Sequence, residues 1–333
     1  MTKTRVSVRN TIERATAEIA LGVPLTPFTE LLIEYASRDP RVCYVGVDTM
    51  DVEFQRHFPS RAFDVGIAEQ NQLGIATGLA KAGMVPVVQA WSPFTPLRNF
   101  DQLRTSLARH HSNVKIVTTA LGLVNCSHGA THHDMESLAL FRTVPGLVIL
   151  APFDGTQFEQ AFRVAMDYVG PVVIMGPPEI YAPGRDGLDS LPIQNHPPFE
   201  IGKAEWLRHG NDACLITFGP ALRYTWLGAE RLSQGGLSVA VVNMCSLKPL
   251  DCDSILKAAT EIQAVLSVEE QTVIGGLGSA VAEVIAESGV AVRFKRMGIP
   301  DQFVENVGDW TETREGIGLT ASQVVRAVKE LLA

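Results

Sequence analysis

The chain has 333 residues, 46% of them hydrophobic and 19% charged, with a net charge of −8. That size and balance imply a well-buried protein of two domains and exclude a disordered chain. The acidic excess offers no basic surface for nucleic acid, and no apolar run approaches the roughly 18–20 residues of a membrane span. The N-terminus, "MTKTRVSVRNTIERATAEIA", lacks the apolar core of a secretory signal, and Glu13 and Glu18 count against a transit peptide. Five scattered cysteines (Cys43, Cys126, Cys214, Cys245 and Cys252) mostly sit in or beside apolar stretches. They read as reduced thiols in a cytoplasmic protein.

In chain order, "VCYVGV" (42–47), "VPVVQA" (85–90), "VKIVTT" (114–119), "LVILA" (147–151) and "PVVIM" (171–175) predict buried strands. Between them lie the helix-length segments 68–82, 97–110 and 154–168. Residues 182–200 then hold four prolines and two glycines, which marks an exposed connector. Alternation resumes with strand candidates at 213–218, 237–244, 264–269 and 290–294 and a closing helix at 320–332. Strand and helix in alternation predict an α/β fold: two domains with mostly parallel sheets flanked by helices. We set the domains at 1–190 and 201–333, with 191–200 as linker.

Four stretches carry polar or aromatic residues where chemistry is expected. In "FDVGIAEQNQLGIATGLAKAG" (63–83), Glu69 stands where an apolar strand turns into a Gly- and Ala-rich helix. An acid there also suits the helix dipole, so spacing alone leaves both readings open. "QAWSPFTPLRNFDQL" (89–103) puts Trp91 and Phe94 just past a strand end, where α/β folds place ligands and an aromatic can stack on a planar ring, although for an isolated aromatic core packing is the preferred reading. "NCSHGATHHDMESL" (125–138) gathers His128, His132 and His133 beside Asp134 and Glu136. The spacing fits no standard zinc pattern, so contact with an organic substrate is favoured over core packing or a metal. "VIGGLGSAVAEVI" (273–285) has an incomplete dinucleotide fingerprint, with Val281 at the third small position. It reads better as a tight strand-to-helix turn than as a nucleotide site.

Taken together, these motifs resemble the thiamine-diphosphate enzymes of the transketolase group. "FDVGIAEQNQLGIATGLAKAG" is similar to the stretch that carries the catalytic glutamate in transketolases and 1-deoxyxylulose-5-phosphate synthase. "HGATHHDMESLALFRTVPGLVILAPFD" (128–154) resembles their substrate loop, and "AVLSVEEQTVIGGLGSAVAEVI" (264–285) their C-terminal domain. The resemblance implies a pyrimidine-binding domain followed by a transketolase C-terminal domain. It implies that Glu69 hydrogen-bonds N1′ of the cofactor's aminopyrimidine and so assists formation of the ylid, the cofactor supplying the nucleophile. By the same matching Trp91 and Phe94 wall the pyrimidine, Asp48 is an acid near the site, and His132, with His128 and His133, faces the substrate.

Family members of full length bind the cofactor diphosphate and Mg²⁺ through a separate domain marked by GDG and a following Asn. This chain has no GDG; "RDG" at 185–187 and "GDW" at 308–310 do not serve. The expectation is one half of a split enzyme, with an N-terminal transketolase-like partner subunit holding diphosphate and Mg²⁺, two copies of each chain, and no metal ligand of its own. Where sugar-phosphate transketolases carry an acid before the loop glycine, this chain has His128. Where they carry a phosphate-binding arginine it reads "GPPEIY" (176–181), and Pro27 replaces another arginine. A donor that is neutral, differently charged or tethered to a carrier is therefore expected. "PVVIMGPPEIYAPG" also resembles the beta chain of 2-oxoacid decarboxylating dehydrogenases, an alternative that transfers acyl groups to a lipoyl or carrier-protein thiol. A regulatory subunit without activity and a metal-dependent hydrolase are the remaining classes.

Overall fold

A computed structural model describes residues 27–47, 51–177, 191–193 and 195–333. Its strands are β1 Val42–Gly46, β2 Ala62–Asp64, β3 Val85–Trp91, β4 Lys115–Thr119, β5 Val148–Leu150, β6 Val172–Met175, β7 Glu205–Arg208, β8 Ala213–Thr217, β9 Val239–Asn243, β10 Ser246–Lys248, β11 Ala264–Thr272 and β12 Arg293–Ile299. Seven of them form one sheet in the order β10-β5-β6-β4-β3-β1-β2, and five form a second in the order β12-β11-β8-β9-β7. Pairing is parallel except where β10 meets β5 and β7 meets β9. Parallel strands roofed by helices on both faces are buried on both sides, which is why β1, β4, β8 and β9 are buried at every position. The two-domain α/β reading therefore holds. Among the described residues no helix is long and apolar enough to cross a membrane, and all five cysteines are free.

Three elements depart from the sequence reading. β10 leaves the second half of the chain and extends the edge of the first sheet, with Ser246 opposite Leu150. Its three residues are too short to show a pattern, and their partner lies far away in the chain. β12 runs Arg293–Ile299, later than the predicted 290–294, because this edge strand keeps three residues exposed and so lacks an apolar run. The predicted helix at 97–110 is divided into Phe94–Leu97 and a π-helical stretch Gln102–Ala108.

The glycine-rich turn is occupied by the protein itself. Glu269 is a fully buried carboxylate that accepts from the amides of Leu277 (2.7 Å) and Gly278 (2.8 Å) at the start of helix Leu277–Ser288. A Cβ on Gly276 would lie 2.1 Å from the Glu269 carboxylate, so glycine is required by close approach rather than by a ligand. The anion that a helix N-terminus attracts is thus built in, and the reading as a tight turn is correct. Burial pushes Glu269 up to about 7 against the pull of those amides.

Candidate active site

Glu69 opens helix Glu69–Lys81, and Ala68 before it offers no side-chain cap. The helix is fixed to the sheet by Gln72, fully buried, whose Nε2 donates to the carbonyls of Val45 (2.7 Å) and Gln89 (2.8 Å). Leu73 and Ala76 pack in the same core cluster as Val45 and Val88. This register sets Glu69 beside the C-terminal ends of β1 and β3, the ligand edge of a parallel sheet. The residue is 5% exposed, and its Oε1 accepts from Arg98 Nη1 at 2.8 Å. Its Oε2 has no hydrogen-bond partner among the described residues and is not sealed off from the cavity that Glu69 lines. The carboxylate takes no bond from its own helix, so the first-turn dipole does not account for how it is held.

The cavity, about 230 Å³, is lined by Val47, Ile67, Glu69, Trp91, Phe94, Arg98 and His132. Trp91 and Phe94 stack at 6.1 Å with 16° between planes, and His132 meets both edge-on at 5.3 and 5.1 Å. His128 stands edge-on to Trp91 at 5.5 Å and 5.2 Å from His132, without lining the cavity. Burial, with the neighbouring charges of His128, Arg98 and His133, holds His132 below the usual imidazole range, so its ring is neutral at neutral pH. Its Nδ1 lies 2.9 Å from the Thr131 hydroxyl, which leaves Nε2 for a substrate.

His133 is not brought to the cavity. It turns inward, 2% exposed, and both ring nitrogens are buried without a partner. Asp134 is also fully buried, and burial pushes it up to about 7. Among the described residues no three His, Cys, Asp or Glu side chains converge to hold a metal ion. Asp48 lies outside the described residues.

The histidine loop is held from the second sheet. At the end of β11, Gln271 Nε2 donates to the Asp134 carbonyl (2.5 Å), its Oε1 accepts from Leu138 N (3.1 Å), and Thr272 N donates to Met135 O (2.8 Å). Beside it Glu270, fully buried, pairs with Arg314 at 2.6 Å and accepts from Trp310 Nε1 (3.2 Å) and Leu123 N (3.4 Å). The backbone of Gly122 passes so close that a Cβ there would lie 2.8 Å from the Glu270 side chain, at a φ of +69°. Consecutive polar residues on one buried strand end thus fix both ends of the loop that carries His128 and His132.

Comparison with known proteins identifies the family. Residues 26–183 match the family described as "Transketolase, pyrimidine binding domain" and residues 202–324 match "Transketolase, C-terminal domain". The 6-deoxy-6-sulfo-D-fructose transketolase subunit SqwH of Clostridium sp. (strain MSTE9) is 35% identical over 308 residues, covering 91% of this chain and 92% of that protein. The chain belongs to the transketolase family. It spans only 46% of another relative, the 1-deoxy-D-xylulose-5-phosphate synthase of Symbiobacterium thermophilum, which is 36% identical over 310 residues, or 92% of this chain. A solved structure titled "Split gene transketolase, inactive beta4 tetramer" superposes with a TM-score of 0.77 at 31% identity over 93% of this chain and 99% of that one. A transketolase from Campylobacter jejuni, 17% identical, shares the fold with a TM-score of 0.69 over 92% of this chain and 46% of its own.

These transketolase relatives favour the transketolase reading over the dehydrogenase beta chain. The family's thiamine diphosphate fits the residues present. An accessible carboxylate oxygen without a partner, in a cavity walled by two stacked aromatic rings, is what an aminopyrimidine nitrogen and its flat ring require. Sequence reasoning missed Arg98. The signal was there in "PLRNF", a basic residue seven positions after Trp91, but a long cation on a surface segment looks like any solvated charge.

Proposed function

We propose that this chain is the pyrimidine-holding subunit of a two-chain, thiamine-diphosphate-dependent enzyme that transfers a two-carbon ketol unit from a ketose-like donor to an aldehyde or other acceptor. Residues 1–190 form the pyrimidine-binding domain, 191–200 the linker and 201–333 the C-terminal domain. A partner subunit binds diphosphate and Mg²⁺, and two copies of each chain assemble with the cofactor across their interface. The observation that carries this reading is the free Oε2 of Glu69 in the aromatic cavity.

Thiamine diphosphate, when bound, supplies the carbon nucleophile. Glu69 Oε2 holds the proton at N1′, Trp91 and Phe94 cover the aminopyrimidine and exclude water, and His132 with His128 meets the donor. His128, where sugar-phosphate enzymes carry an acid, supports a donor that is neutral or differently charged. The direct test is calorimetric titration of thiamine diphosphate with Mg²⁺ into this chain alone, into its mixture with the diphosphate-binding subunit, and into the mixture carrying Glu69→Ala. We expect binding only in the mixtures, and turnover only with Glu69. Near-normal turnover in Glu69→Ala would refute the assignment.

A further inference from the structure

Arg98 touches Glu69 in a way that fold stability does not explain. Its side chain is 45% exposed whereas that of Glu69 is 5% exposed, and an ion pair with so open a partner contributes little to folding. Yet its geometry is specific. Nη1 donates to Oε1 at 2.8 Å while the guanidinium carbon lies 3.7 Å from the centre of the Phe94 ring, so the same group is fixed by two members of the cavity wall. The neighbouring Asn99 donates to the Glu69 backbone carbonyl (3.3 Å) and to Thr95 Oγ1 (3.0 Å), which ties this segment to the start of the glutamate's helix. The carboxylate is therefore held at one oxygen by Arg98, while the other is left open to the cavity.

We propose that Arg98 is a positioning residue: it clamps Oε1 of Glu69, stacked on Phe94, so that Oε2 alone is presented to the aminopyrimidine. This rests on the reading of Glu69 given above. Without the clamp, Glu69 turns freely about its side-chain bonds at a helix end that offers no cap, and the proton at N1′ meets a carboxylate of undefined orientation. The guanidinium also forms part of the wall, so the alternative role for Arg98 is a competitor that occupies the pyrimidine's place. The two roles predict opposite signs.

Two measurements test the clamp. In crystal structures of the cofactor-free chain, Glu69 is expected in one orientation on Arg98 in the wild type, in several in Arg98→Ala, and again in one in Arg98→Lys. An unchanged Glu69 in Arg98→Ala overturns the proposal. In the complex with the partner subunit, Arg98→Ala is expected to lower kcat about 10²-fold, with substrate KM changed less than roughly threefold. The near-UV circular dichroism of the bound aminopyrimidine should shift with it, and Arg98→Lys should recover part of both. Unchanged kcat and spectrum, or tighter cofactor binding in Arg98→Ala, overturns the clamp, the latter in favour of competition. If the wild-type complex binds no thiamine diphosphate, the functional reading fails, and the crystal structures alone decide whether Arg98 orients Glu69.

Discussion

At the residue scale, one cavity holds two kinds of polar group against the same aromatic pair. Glu69, paired with Arg98, lines it beside Trp91 and Phe94, and His132 presents its ring edge-on to both aromatics with Nε2 free. Replacing His132 by Ala should therefore lower kcat/KM for the donor by about 10²-fold, the range of a lost proton-transfer or orienting group, with His128→Ala milder because its ring is exposed. Cofactor affinity in both should stay within roughly threefold, read by steady-state kinetics beside calorimetry. A large loss of cofactor affinity would instead place these rings around the cofactor. Glu69, Trp91, Phe94 and His132, which the structure brings to one cavity, were legible in sequence through the resemblance of their motifs to the family's, since on spacing alone a helix-dipole acid and packed aromatics read as well. His133 looked equivalent to His132, but one residue's shift along a turn sends its ring into the interior instead of the cavity. Arg98 was illegible because its meaning lies in a contact 29 residues away, made by a side chain of a common surface type.

At the element scale, polar residues buried at strand ends and linkers fix the parts that position the site. His196, 1% exposed at its side chain, bridges Asp154 at 2.8 Å and Glu205 at 3.0 Å, joining the connector to the first helix turn after β5 and to β7. Burial opposes a charged imidazolium, but the hydrogen bonds and charges of Asp154 and Glu205 outweigh it and raise His196 to about 9. Between its ordinary 6.5 and 9 the folded chain holds a proton that the unfolded chain has lost, so stability falls as pH rises through that window. The staple is complete below the unfolded value and is lost above the folded one, a change of up to about 3 kcal/mol. Chemical denaturation at pH 6, 8 and 9.5 should show this decline in the wild type and a flatter profile in His196→Gln. A parallel decline in the variant would assign it to other groups. The sequence showed the connector by its prolines but not this clamp, since its imidazole and two carboxylates come from three separate segments of the chain. In the same way "EEQ" at 269–271 carries no motif, although each residue holds something distinct: a helix start, an arginine, and a loop carbonyl together with the Leu138 amide.

At the scale of the whole molecule, large apolar residues stand exposed in the cavity wall and beside the histidine loop. Ile67, in the cavity wall, is 69% exposed, and Leu97, one residue before Arg98, is 49% exposed. Phe303 and Val307 are 74% and 68% exposed, and Val307 approaches within 3.2 Å of where a Cβ on Gly129 of the histidine loop would lie. Exposed apolar side chains in the cavity wall, at Ile67, and against the histidine loop, at Val307, mark a surface of the kind that another protein covers. Under the proposed function the cover is the subunit that carries the diphosphate-binding domain, because the same contact that buries these side chains would close the cavity and bring diphosphate and Mg²⁺ to the cofactor's other end. Ile67→Asp and Val307→Asp should leave the chain folded, since neither side chain belongs to the core, with a melting temperature within about 2 °C of wild type. Each charge buried in the contact should weaken assembly by at least tenfold, measured by analytical ultracentrifugation of mixtures with the partner, and cofactor binding should fall in proportion. Assembly unaffected by either charge would place the partner on another face and leave the open side of the cavity to a second copy of this chain.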